Sequence, residues 1–238
     1  MKIVIYGDSI SEGIGKRKNN YCNQLKCLLL EKFPSVEIKN LAHTGTTITY
    51  LKELLENSCN IADVTIIAYG NVDAMLRPDI NHKPNYYSFL PSRYKQNGML
   101  NPRPYYSKKW YKNFFQHCDS IIRCTLNKLL LKLQGETTWI SEKEFYEIYC
   151  QCIRKIKKNG CSRIVLLSTV KVSDRFFPGT NEKYEIFNKI IKNIAIEEQC
   201  TYIDLYNNLI NEEDFYDDKF HPNTLGYEKI ASLIIQNL

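Results

Sequence analysis

Met1-Lys2-Ile3-Val4-Ile5-Tyr6-Gly7-Asp8-Ser9-Ile10-Ser11 holds the decisive information about the fold. Ile3 to Tyr6 is a continuous run of β-branched and aromatic residues closed by glycine, without the polar alternation of a half-exposed strand. Such a run fits a strand buried on both faces, as in a parallel sheet covered by helices. Gly7-Asp8-Ser9 then falls just outside the carboxyl end of that strand, where ligands bind in open α/β sheets. A serine there can present its hydroxyl at a helix N-terminus, among backbone N–H groups able to stabilise an oxyanion. The same tripeptide is also a common turn.

Four further β-rich runs follow, at about 36–40, 63–69, 163–168 and 201–204, most of them separated by helical periodicity. Tyr21, Leu25, Leu28, Leu29 and Phe33 repeat at helical spacing, and a second helix is expected from about Thr47 to Glu56. Ser141-x-x-Glu144 reads as a capping box opening a helix through Tyr149, Cys152, Ile153 and Ile156 to a stop at Gly160. Helices over about Asn181–Gln199 and Leu225–Asn237 complete an α/β sandwich.

The 238 residues suit one domain over 1–238, and 44% hydrophobic with 24% charged residues fits a globular chain and excludes a disordered or fibrous one. The N-terminus lacks the pattern of a secretory signal, and the longest apolar runs fall far short of the roughly 20 residues of a membrane span. The expectation is a cytoplasmic protein starting at Met1. Nine cysteines without any Cys-x-x-Cys pair suggest reduced thiols, neither a disulfide framework nor a zinc site. No metal-ligand spacing and no phosphate loop is found, so no cofactor is expected.

Near the other end, Asp218-Lys219-Phe220-His221-Pro222-Asn223 sets a carboxylate three residues before a histidine, just ahead of the last helix. A serine hydroxyl is a poor nucleophile until a base takes its proton, and that base needs a partner to fix its tautomer. His221 can accept the proton and Asp218 can orient the ring. Asp217 is adjacent and equally ionisable, and an isolated Asp-x-x-His also suits a surface turn.

The order and spacing of short blocks along nearly the whole chain resemble the SGNH/GDSL hydrolases. Gly7-Asp8-Ser9 is similar to their first block, Leu41-Ala42-His43-Thr44-Gly45 to the second, Gly70-Asn71-Val72-Asp73 to the third and Asp218 to His221 to the last. The resemblance implies a flavodoxin-like three-layer α/β/α sandwich with strand order 2-1-3-4-5. It also implies a serine esterase with Ser9 as nucleophile, the spacing favouring Asp218 over Asp217. The family's oxyanion hole, carried over residue by residue, would use Ser9, Gly45 and Asn71. Gly45 has a plain alternative reading as a turn glycine at positive φ.

The third block departs from the family pattern Gly-x-Asn-Asp: Val72 stands at the asparagine position, and Asn71 precedes it. Neighbouring side chains of an extended segment point to opposite faces, so Asn71 cannot simply replace its neighbour. Either a local twist turns Asn71 inward or two backbone N–H groups act alone. Losing one such donor typically costs on the order of 3 kcal/mol of transition-state stabilisation. The other histidines, His43, His82 and His117, have weaker claims: His43 lies beside Gly45 and could contact substrate, but a structural role fits it better.

Residues 77–140 form an insertion, longer than a strand-to-helix connection requires. From Arg77 to Lys132 it carries eleven Lys or Arg against Asp79 and Asp119 alone, which concentrates the net charge of +6 there. A helical pattern over about Ser107–Leu133 places Trp110, Phe114, Cys118, Ile121, Ile122, Leu129 and Leu133 on one broad face, and Tyr105-Tyr106-Ser107-Lys108-Lys109-Trp110-Tyr111-Lys112 interleaves aromatics with lysines. Three readings stand side by side: a lid on the site, a helix resting peripherally on anionic membrane, or a solvated basic face around a small extra core. As a pocket wall, its aromatic rings would suit sugar faces and its cations acidic groups. That favours an acyl, foremost acetyl, ester of a carbohydrate or glycolipid as substrate. The third-block variant with Met75-Leu76-Arg77-Pro78 also resembles SGNH proteins associated with bacterial surface-polysaccharide synthesis. No nucleic-acid motif accompanies the basic patch. An O-acyltransferase using the same residues, and a binding protein that kept the fold, remain as rival readings.

Overall fold

A computed structural model describes residues 1–14, 19–95, 100–104, 106–210 and 212–238. The first strand, β1 (Lys2–Gly7), leads into a single helical turn, α1 (Ser9–Glu12), then α2 (Tyr21–Leu30), β2 (Glu37–Asn40), α3 (Ile48–Asn57) and β3 (Val64–Ala68). After β3 come β4 (Arg77–Pro78), a long helix α4 (Trp110–Gln134) and β5 (Glu136–Thr137). The chain ends with α5 (Glu142–Lys158), β6 (Arg163–Leu167), α6 (Thr180–Glu197), β7 (Thr201–Ile203) and α7 (Thr224–Gln236).

The main sheet is parallel, in the order β2-β1-β3-β6-β7. Counted over this sheet alone, that is the expected 2-1-3-4-5 topology of a flavodoxin-like sandwich. Ile3, Val4, Ile5 and Tyr6 are almost wholly buried, as is all of β3, because helices cover both faces; β2, at an edge, is largely exposed. α2 packs with α7 on one side, and α3, α5 and α6 pack together on the other. Ser141 caps α5 by accepting from the Glu144 N–H at 3.3 Å, and Gly160 takes a φ of 91° just past its end, so the expected start and stop both hold. α2 ends at Leu30, and Phe33 lies exposed beyond it.

Strand order reverses between β1 and β3, and this switch point is where such sheets open a crevice. It joins Gly7-Asp8-Ser9 to Gly70-Asn71. β4 and β5 pair antiparallel, Arg77 opposite Thr137, and close the base of the loop that carries α4.

α4 carries the expected apolar stripe on its outer side. Its inward side buries Ser120, Arg123, Asn127, Leu130 and Gln134, whereas Trp110, Phe114, Phe115, Ile121, Ile122, Leu129 and Leu133 are exposed. The inner face meets polar backbone rather than a sheet. Gln134 accepts from the Tyr87 N–H at 2.8 Å and donates to the Asp79 carbonyl at 3.0 Å, while the Ser120 hydroxyl accepts from the Arg103 N–H at 3.1 Å. A small apolar cluster of Tyr94, Leu100 and Leu130 lies beneath it. Tyr105 lies outside the described residues, and Lys108 to Lys112 are exposed. Among the described residues no helix is long and apolar enough to cross a membrane.

Candidate active site

Gly7 lets the first strand turn. A Cβ there would come within 2.5 Å of the Ser11 hydroxyl and 3.0 Å of the Ala68 carbonyl oxygen. Asp8 caps the following turn by accepting from the Ile10 N–H at 3.0 Å, which makes Ser9 the first residue of α1. An N–H at that position has no intrahelical acceptor and is free for a ligand. Gly13 closes the turn in the left-handed region at φ 85°.

The segment before α7 comes back to this point. The Ser9 hydroxyl lies 2.9 Å from His221 Nε2, and His221 Nδ1 lies 2.6 Å from Asp218 Oδ2. The other oxygen of Asp218 accepts the Phe220 and His221 N–H groups, each at 3.1 Å. That two-residue loop requires a left-handed Lys219, at φ 54°. The carboxylate is thereby fixed, and beside it the ring proton belongs on Nδ1, leaving Nε2 to accept from Ser9. Asp217 is exposed and makes none of these contacts. The structure thus brings Ser9, His221 and Asp218 together over more than two hundred residues of chain.

The second-block loop is tied to α1. Glu12 Oε2 accepts the Thr44 N–H at 2.7 Å and the Thr44 hydroxyl at 2.5 Å. Gly45 follows at φ 72°, so the turn-glycine reading holds, and it lines the same cavity as Ser9. Sequence reasoning passed over Glu12, whose only signal was its place three residues after the serine.

Asn71 is buried and committed elsewhere. Its Nδ2 donates to Asp8 Oδ2 at 3.0 Å, and its Oδ1 accepts the Val170 N–H at 2.9 Å. These bonds leave one amide proton unassigned, while the neighbouring Val72 lines the cavity with Ser9. Asp73 accepts from Ile48 N–H at 2.7 Å and Gly70 N–H at 2.9 Å, capping α3 from a distance, since Thr47 makes no such bond. Burial outweighs those bonds and pushes the Asp73 carboxyl up to about 7, and likewise that of Asp8 to about 6.

The remaining histidines stand apart. His43 is exposed, 3.9 Å from Glu12 and edge-on to Tyr50; His117 stacks on Tyr106 at 3.8 Å; His82 is exposed. Among the described residues no cluster of three or more His, Cys, Asp or Glu could hold a metal ion.

Ser9 and His221 open into a cavity of about 480 Å³. The sandwich contributes Gly45, Val72, Met75 and Phe220 to its lining, and the insertion contributes Arg77, Tyr87, Lys95, Arg103, Arg123, Asn127 and Trp139. The insertion is therefore a wall of the site, and among the described residues it is so through others than Tyr106, Trp110 and Tyr111. Trp139 was not singled out from the sequence, because nothing local marks it as facing a cavity.

A flavodoxin-like sandwich whose switch point presents serine, histidine and aspartate in hydrogen-bonded series defines a class, that of hydrolases built on a nucleophilic serine. The chain belongs to the GDSL-like lipase/acylhydrolase family, whose model matches residues 5–229, and it is an acyl ester hydrolase of the SGNH/GDSL type. No curated protein matches it by sequence. Similar solved structures include LAE5, an α/β hydrolase enzyme from the metagenome of Lake Arreo, Spain, with 14% identity, a TM-score of 0.64 and coverage of 99% of this chain and 94% of that one. TesA is similar at 13% identity and a TM-score of 0.61, over 100% and 98% of the two chains. Axe2, an acetylxylan esterase from Geobacillus stearothermophilus, has 15% identity and a TM-score of 0.63, over 99% and 93%. At these identities the likeness is one of fold.

Proposed function

We propose that this chain hydrolyses an acyl ester, in the first place an acetyl ester of a carbohydrate, with Ser9 as nucleophile, His221 as general base and acid, and Asp218 as the residue that orients His221. The observation that carries the reading is the continuous series Ser9 Oγ to His221 Nε2 at 2.9 Å and His221 Nδ1 to Asp218 at 2.6 Å, at the edge of a cavity. Ser9 Oγ attacks the ester carbonyl as its proton passes to Nε2. The tetrahedral oxyanion is met by the N–H groups of Ser9 and Gly45, with the unassigned proton of Asn71 Nδ2 as the third donor if the side chain shifts toward Ser9. His221 returns the proton to the departing alcohol. Water, deprotonated by His221, then releases the acid and restores Ser9.

Acetylxylan esterases among the structures of similar fold, and Trp139 and Tyr87 in the cavity wall, support a sugar as the alcohol. Ser9→Ala should lower turnover of p-nitrophenyl acetate by at least about 10⁴-fold, and a fluorophosphonate probe should label Ser9 alone. Wild-type turnover by Ser9→Ala, or labelling of another residue, would overturn the assignment.

A further inference from the structure

The wall of the cavity opposite the sandwich has a charge pattern that ester hydrolysis itself does not call for. Arg77, Lys95, Arg103 and Arg123 all line it, and no carboxylate does among the described residues. Asp119, set behind the wall, pairs with Arg103 at 3.1 Å and Arg123 at 2.8 Å. Lys95 donates to the Ser88 carbonyl. Among the described residues Arg77 has no carboxylate or carbonyl within hydrogen-bond distance. Its guanidinium lies on the face of Trp139, 4.2 Å from the ring centre, and its buried Nε finds no acceptor among the described residues.

Asn127 faces the same cavity from the inner side of α4, where it is 6% exposed and sets an amide among the cations. A half-buried guanidinium without a carboxylate in hydrogen-bond contact is open to an anion. Burial pulls the Arg77 guanidinium below its ordinary value, with only partial relief from Asp79. A ligand that brings oxygen acceptors and negative charge meets both side chains, which line the cavity together.

We infer that the substrate bears an anionic group, a carboxylate or a phosphate, on its alcohol part, and that Arg77 and Asn127 receive it in the cavity beside Ser9. This rests on the esterase reading above, since an acetyl group has no room for a second charge and the anion must belong to the alcohol. The guanidinium, set over the Trp139 ring and anchored in the β4–β5 ribbon, has the planar fork that takes two oxygens together. The inverted α4 then has a physical reason. Its polar side faces inward because it completes a binding wall.

Three substrates of matched shape test this: O-acetylated methyl glucoside, O-acetylated methyl glucuronide and O-acetylated glucose 6-phosphate. Wild-type kcat/KM should favour one or both acids over the neutral sugar by about ten- to a hundredfold, the range of one charge-assisted hydrogen-bond pair, and the favoured acid identifies carboxylate or phosphate. Arg77→Ala should collapse that ratio toward one, Arg77→Lys should keep part of it, and Asn127→Ala should reduce it less. Equal kcat/KM on all three substrates, or an undiminished ratio in Arg77→Ala, would overturn the inference. Calorimetric titration with methyl glucuronide and glucose 6-phosphate, which carry no ester, separates the two readings. Binding of an acid that Arg77→Ala abolishes supports the anion site even if no ester is cleaved, and ester cleavage without any acid binding refutes the site while leaving the esterase intact.

Discussion

α4 and α5 are successive helices, both amphipathic, and they present opposite sides to the protein. α5 buries Phe145, Ile148, Tyr149, Cys152, Ile153 and Ile156 and leaves its lysines outside. α4 buries Ser120, Arg123, Asn127 and Gln134 and leaves Trp110, Phe114 and Phe115 outside. The difference is in what each meets. α5 lies on a sheet whose strands are apolar on both faces, so burial of its stripe is the dominant gain. α4 meets a polar loop and a cationic cavity, where backbone groups such as the Tyr87 and Arg103 N–H take their partners from its Gln134 and Ser120 side chains. Periodicity reveals that a helix has two faces; the surface it packs on decides which one is inside.

The comparison predicts its largest effect in the sandwich. Phe145 is fully buried, with Phe187 at 4.8 Å and Tyr149 at 5.2 Å between ring centres. Phe145→Ala should cost about 3–5 kcal/mol in denaturant unfolding, the usual range for a buried ring. A cost below about 1 kcal/mol would mean that α5 is no better packed than α4.

Asp73 should come next, and its effect should depend on pH. Its folded-state value near 7 lies above the ordinary carboxylate value of about 4. A raised acid contributes stability that is full below the unfolded value and is lost as pH rises through the folded one. Asp73→Asn puts an amide N–H against one of the two backbone donors and should destabilise by about 2–3 kcal/mol at pH 5. That deficit should shrink as pH rises from 5 to 8, because the wild type alone loses stability over this window. A deficit that grows with pH would show that the Ile48 and Gly70 N–H groups, rather than burial, govern this carboxyl.

On the inner face of α4, Gln134→Leu tests the inversion directly. It leaves the Tyr87 N–H without its acceptor and the Asp79 carbonyl with the His82 N–H alone, and should cost about 1–3 kcal/mol although it makes the face more apolar. Hydrogen exchange at the Tyr87 amide should speed up. A neutral or stabilising result would mean that water reaches those groups.

The parts of this structure that sequence conveyed are those set by local chemistry. Ile3 to Tyr6 can only be a strand covered on both sides, and Gly7 and Ser141 mark where a strand must turn and a helix must start. Asp217 and Asp218 are alike in composition, and family spacing was needed to prefer the one that meets His221; the reason lies in a loop where Lys219 is left-handed and two N–H groups point at a single carboxylate. Glu12, Trp139 and Arg77 carry no local signature, since Glu12 acquires its part from Thr44, and Arg77 and Trp139 acquire theirs from each other across the insertion. Asn71 is intermediate. Its displacement is plain in Gly70-Asn71-Val72-Asp73, but its engagement with Asp8 and Val170 depends on the third dimension.

The smallest expected effect lies on the outer face of α4. Phe115 is 69% exposed, so Phe115→Ala removes little buried surface. Alanine is the better helix former, by up to about 0.5 kcal/mol at an exposed site, and the two contributions nearly cancel. Unfolding free energy should therefore change by no more than about 0.5 kcal/mol, with stabilisation the expected sign. A loss near 2 kcal/mol would require the ring to be covered in solution. If that loss grew with protein concentration, the cover would be a second copy of this chain; if it did not, α4 would have to turn its apolar side inward, and the polar wall assigned to the cavity would be wrong with it.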